Sequence, residues 1–153
     1  MASAPVTVVD PPVLPSVQYA MPLTATRTFE WRPEEVPAAR RFTQDALAGH
    51  PVSFDAELLT CELVTNVVRH ASDAARVTVA ITRRGTVVHV DVIDDGRSGL
   101  PHWREVNGHD EGGRGFQLVN EIAQRWGFLR EPIGTCVWFE VAPQAASPCL
   151  TAR

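Results

Sequence analysis

Four-residue spacing places Glu62, Asn66 and His70 one turn apart on one side of CELVTNVVRHA, a segment whose other positions are mostly apolar. A stripe of carboxylate, amide and imidazole down such a helix is either its solvated face or one wall of a polar site. Asp94 bears on that choice. It is in phase with Val88, Val90 and Val92, so its carboxylate points to the side that those valines bury, while Asp91 points the other way. An inward carboxylate is costly unless it accepts hydrogen bonds, so Asp94 is either satisfied by backbone donors, as a turn-forming Asp of DDG, or waits for a polar ligand. A third feature is EGGRGFQLV, Glu111 to Val119, where Gly112, Gly113 and Gly115 lead into a helix whose first amides and dipole favour an anion. Glycines there also cap and turn without binding anything. Taken together, these features describe equipment for a ligand that carries phosphate.

The elements that must position these groups follow from periodicity. TATRTFEW, residues 24 to 31, alternates as a first strand, and Pro33 stands where a helix can begin, in a segment running to about Gly49 with Ala38, Ala39, Phe42, Ala46 and Leu47 inward. Ser53 is the expected N-cap of a second helix to about His70, with Asp55 and Glu57 in its first turn. Val77, Val79 and Ile81 share one face of the next strand and Val88, Val90 and Val92 one face of its neighbour. A loop of Arg84-Gly85 would set 81 opposite 88, 79 opposite 90 and 77 opposite 92. Residues 95 to 112 carry Gly96, Gly99, Pro101, Gly108 and Gly112 and read as a functional loop or lid. A third helix is expected from about Gly113 to Arg125, with Leu118, Val119 and Ile122 on one side, then strands near 126 to 130 and 135 to 141. This order indicates an α+β fold: a two-layer α/β sandwich of one mixed, mostly antiparallel sheet with helices on one face. Residues 24–142 form the domain, 1–23 are read as a mobile arm and 143–153 as a flexible tail.

Composition excludes several chemistries. With 153 residues, 44% hydrophobic and 21% charged, the chain suits one core. A net charge of −4 without a clustered basic patch argues against direct nucleic-acid binding. All 14 Lys+Arg residues are arginine, which removes a Walker A lysine, a kinase strand lysine and Schiff-base chemistry. Cys61, Cys136 and Cys149 lack CxxC spacing and read as reduced thiols of a cytoplasmic protein. Prolines interrupt every apolar run of the first 23 residues, so neither a signal peptide nor a membrane span is expected.

ELVTNVVRHA resembles the N box, DDGRSG the first glycine box and GGRGFQLV the second glycine box of the gyrase, chaperone, histidine-kinase and mismatch-repair ATPase superfamily. With the EGGRG lead-in and the closing GTCVWFEV, the chain looks most like the bacterial anti-sigma factor serine/threonine kinases, over roughly residues 24 to 142. The resemblance implies ATP or ADP and Mg²⁺ as ligands, Glu62 as general base and Asn66 as magnesium ligand. It also implicates Asp94, Gly96 and Gly99 on the adenine side, Gly113, Arg114 and Gly115 around the phosphates, and Thr135 as a further nucleotide contact. DDGRSG departs from a D-x-G-x-G pattern by placing its second glycine at 99, one position late. Arg69 and His70 carry weaker expectations: a surface charge and a helix-end cap are the more ordinary explanations. Thr135 is also read as a residue that only shapes the last turn. The implied activity is phosphorylation of Ser or Thr on an anti-anti-sigma partner, with sequestration of a sigma factor and a homodimer as further implications. A non-catalytic module that changes its partner surface with nucleotide occupancy is the alternative. A detached histidine-kinase catalytic domain or ATP hydrolase ranks last, because no dimerisation hairpin fits before the first strand.

Overall fold

A computed structural model describes residues 24–70, 74–96, 114–131 and 134–144. Strand β1 (Ala25–Glu30) leads into a 3-10 turn (Pro33–Glu35) and helix α1 (Val36–Ala46). There follow α2 (Ser53–His70), β2 (Arg76–Arg84), β3 (Val87–Asp94), α3 (Arg114–Ile122), β4 (Arg125–Glu131) and β5 (Gly134–Val141). Five strands form one sheet in the order β1-β2-β3-β5-β4, and every neighbouring pair is antiparallel. The helices cover one face. Leu59, Leu63, Val64 and Val67 of α2 share a core with Val77, Val79, Ile81, Val88, Val90, Val92, Val137 and Phe139 of the strands. The chain is therefore an α+β two-layer sandwich, as the period-two and period-3.6 patterns require.

Local chemistry moves several boundaries. Pro33 opens the 3-10 turn rather than the helix, and α1 starts at Val36 with Pro37 in its first turn, where a missing N–H costs nothing. The Ala56 N–H bonds to the Val52 carbonyl at 2.9 Å, so the cap position of α2 falls at Val52 and Ser53 is the first helical residue. His50 shapes this start: its Nδ1 accepts the Val52 N–H at 3.3 Å while Nε2 bonds the Gly85 carbonyl at 3.1 Å. Glu57 does not serve the helix dipole. It is buried and takes the Arg40 Nε–H at 2.5 Å, clipping α2 to α1.

The β2–β3 register also differs from expectation by two residues. Ile81 faces Val90, Val79 faces Val92 and Val77 faces Asp94, so the loop is Gly85-Thr86. Gly85 has φ +60° at the first loop position, the place where a two-residue primed turn asks for glycine, and Arg84 is drawn into the ladder. A shift of two preserves parity, so all six apolar side chains still meet the helices, each 1% exposed or less.

Candidate functional site

Helix α2, which carries Glu62 and Asn66, packs against β2, β3, β5 and α3 on the face toward which Asp94 points. Both side chains are half-buried, at the border between the apolar stripe of α2 and its exposed side. Asp94 is 7% exposed, and its Oδ1 accepts the Gly96 N–H at 2.9 Å. One oxygen of the inward carboxylate thus takes a backbone donor in the following turn, which holds the carboxylate in place. Thr135 lies directly opposite Asp94 on β5 and is also buried, so Asp94, Gly96 and Thr135 gather at one end of the sheet.

The motifs do not point to Gly134, yet it makes the closest approach at this end. A Cβ there would stand 1.8 Å from the Asp94 carbonyl oxygen, and its φ of +152° suits no other residue. The signal lies in GTCVWFEV, where a glycine opens a strand that must seat against Asp94. Gly134→Ala is expected to lower stability by about 2–3 kcal/mol, from strain and overpacking against β3. Urea unfolding checks this, and an alanine variant of unchanged stability would contradict the close approach.

Arg114 and Gly115 are the first residues of α3, whose opening amides lack intrahelical partners and can face an anion. The side chains of Arg114 and His70 lie outside the described residues, as do Gly99 and Gly113 and most of the expected lid from 95 to 112. The expected arm at 1–23 and most of the tail from 143 onward lie outside them too. Arg69 is exposed, in keeping with a surface charge. Cys61 beside Glu62 is half-buried; burial first, and then the Glu62 charge, push its thiol above the ordinary range.

The donor set fits a nucleotide with magnesium. A buried carboxylate can accept from an exocyclic amine, and a helix start can receive phosphate oxygens. Asn66 offers a neutral oxygen of the hard kind that Mg²⁺ takes. Among the described residues no group of three or more His, Cys, Asp or Glu could hold a metal, and Asn66 is the residue that would offer magnesium an oxygen beside phosphates and water. Among those residues, no helix is long and apolar enough to cross a membrane.

On the opposite face of the sheet lies a second polar group that the sequence does not reveal. His89 Nε2 meets Asp91 Oδ1 at 3.1 Å, His89 Nδ1 meets Glu140 Oε1 at 3.2 Å, and Arg125 reaches Glu140 Oε2 with Nε at 2.9 Å. The His89 ring stacks on Trp138 at 5.4 Å between centroids. Alternation marks His89 and Asp91 as one face of β3, but only the strand order places Glu140 and Arg125 beside them.

A protein-family model described as a histidine kinase-like ATPase domain matches residues 29–141. No curated protein matches the chain.

Proposed function

Because the chain belongs to the histidine kinase-like ATPase domain family, and so is an ATP-binding domain, we propose that it is a regulatory kinase that moves the γ-phosphoryl group of Mg-ATP to a Ser or Thr of a protein partner. The partner expected from the motif resemblance is an anti-anti-sigma factor, with a sigma factor as a second protein bound. The reading is carried by one observation: Glu62 stands one turn before Asn66 on the helix packed over β3, the strand that ends in the buried carboxylate of Asp94. A binding module needs Asp94 and the glycine-led helix but has no use for a carboxylate at 62.

In this reading Asp94 accepts from the adenine amino group, and the start of α3 receives the phosphates, with Gly113, Arg114 and Gly115 supplying amides and a guanidinium. Bound magnesium supplies charge neutralisation between phosphates, and Asn66 is the residue that would hold it. Glu62 aligns the acceptor hydroxyl and takes its proton, a task of positioning and charge stabilisation. Gly96, Gly99 and Thr135 shape the adenine end. The motif resemblance adds a cytoplasmic location and a homodimer to this reading.

Calorimetry with Mg-ADP, followed by label transfer from γ-labelled ATP to candidate partners, tests this directly. Asn66→Ala is expected to weaken the magnesium-dependent part of binding by about 10-fold, the loss of one charge-assisted contact. If nucleotide binds but label never reaches a partner, the protein is a nucleotide-dependent binding module. If no heat accompanies Mg-ADP or Mg-ATP, the site is not a nucleotide site.

A further inference from the structure

The residue beside Asp94 makes contacts that the nucleotide reading leaves unused. Asp95 is exposed, yet its Oδ1 accepts two backbone donors, Ala75 N–H at 2.7 Å and Arg76 N–H at 2.9 Å. The Asp95 N–H in turn reaches the Arg76 carbonyl at 3.3 Å, a long final rung where the β2–β3 ladder ends. Ala75 is held from its other side as well: its carbonyl accepts the Trp31 N–H at 2.9 Å, and the Trp31 indole N–H donates to the Val67 carbonyl at 3.1 Å. Val67 follows Asn66 directly on α2. One continuous set of hydrogen bonds therefore runs from the α2 backbone at Val67, through Trp31 and Ala75, to the Asp95 carboxylate.

We propose that Asp95 is a positioning residue of the nucleotide site, clamping the start of β2 so that the end of β3 holds Asp94 and Gly96 in register with α2. The proposal rests on the reading of Asp94 as the group that accepts the adenine amine. Cross-strand pairing holds Asp94 itself, opposite Val77 and Thr135, and its carboxylate accepts the Gly96 N–H, two residues beyond the last good rung. An anionic oxygen shared by two N–H groups is a stronger tie than the 3.3 Å rung it supplements. Without it the chain after Asp94 swings away, Gly96 leaves the carboxylate, and the acceptor for the amine loses its aim.

The test compares Asp95→Ala, which deletes the acceptor, with Asp95→Asn, which keeps a neutral Oδ1. Dissociation constants for Mg-ADP and Mg-GDP are measured on each full-length variant, with urea unfolding beside them. Guanine presents a carbonyl where adenine presents its amine, so only ADP binding uses the orientation of Asp94. Asp95→Ala is expected to weaken ADP binding about 10-fold and leave GDP binding unchanged, and Asp95→Asn to stay within about 3-fold of the parent. Parental affinity and selectivity in Asp95→Ala overturn the proposal while the nucleotide reading stands. An equal loss for ADP and GDP assigns Asp95 a purely structural role and overturns it too. A parent with no preference for ADP over GDP, or no binding at all, removes the reading of Asp94 on which the proposal rests.

Discussion

Glu62→Gln is expected to slow phosphoryl transfer by about 10²–10⁴-fold while leaving the Mg-ADP dissociation constant within about 3-fold of the parent, the range for removal of a positioned general base. Glutamine matches glutamate in shape and keeps an oxygen at the same place, so local packing is preserved and only basicity is lost. In the proposed reaction the interaction removed exists chiefly in the transition state, as the hydroxyl gives up its proton. Its loss should therefore lower kcat and kcat/KM together and spare ground-state binding. Single-turnover transfer from γ-labelled ATP to a serine-bearing partner measures the first quantity and calorimetry the second. An unchanged rate would remove Glu62 from the chemistry. Cys61 supplies an internal control: the Glu62 charge helps to hold its thiol up, so its alkylation at neutral pH should quicken in the glutamine variant.

The parts of the site that rest on local periodicity are legible in the amino-acid sequence alone. Val88, Val90, Val92 and Asp94 alternate, and a period of two fixes the face of each whatever the pairing partner. The same logic tolerates the two-residue difference in hairpin register, because Gly85 needs the first turn position and a shift of two restores every side chain to its face. Glu62 and Asn66 are legible from a helical period in one uninterrupted segment. Pairings between distant segments are not. That β5 rather than β4 lies beside β3 is a matter of strand order, and no residue pattern in β5 announces its neighbour. Gly134 against Asp94, and Glu140 beside His89, are both consequences of that adjacency. Asp95 is hidden differently: in DDG the second carboxylate reads as one more turn residue, and its partners are backbone groups, which leave no signature in side-chain types.

His89→Leu is expected to cost about 3–5 kcal/mol of unfolding free energy, the penalty for removing one partner of a buried ion pair. His89 is 4% exposed, and each ring nitrogen meets a carboxylate, Asp91 at 3.1 Å and Glu140 at 3.2 Å. Only the doubly protonated ring donates to both. Burial by itself draws the imidazole down, but the hydrogen bonds to Asp91 and Glu140 and their charges overcome it and hold the group at about 9 rather than 6.5. The His89 bond, opposed by burial and helped by Arg125, lowers Glu140 from 4.5 to about 2. Thr82 faces His89 from β2, Cys136 Sγ lies 3.5 Å from Asp91, and Arg125 approaches Glu140 from β4, so the two carboxylates are matched by two cations. Leucine would leave Asp91 and Glu140 buried without the imidazolium that donates to both. The signs of the shifts fix the pH window. Stabilisation by His89 is complete below its unfolded value of 6.5 and is lost as pH rises through about 9, whereas that by Glu140 is complete above 4.5 and is lost as pH falls toward about 2. The parent should therefore be most stable between pH 4.5 and 6.5 as far as this pair is concerned, and should lose about 3 kcal/mol as pH is raised from 6.5 to 9. In His89→Leu that alkaline decline should vanish. Urea midpoints across the range decide it: a leucine variant that declines in parallel with the parent would mean that His89 is neutral in the folded protein. Because the pair lies on the sheet face away from Asp94, a leucine variant that remains folded should bind Mg-ADP with parental affinity.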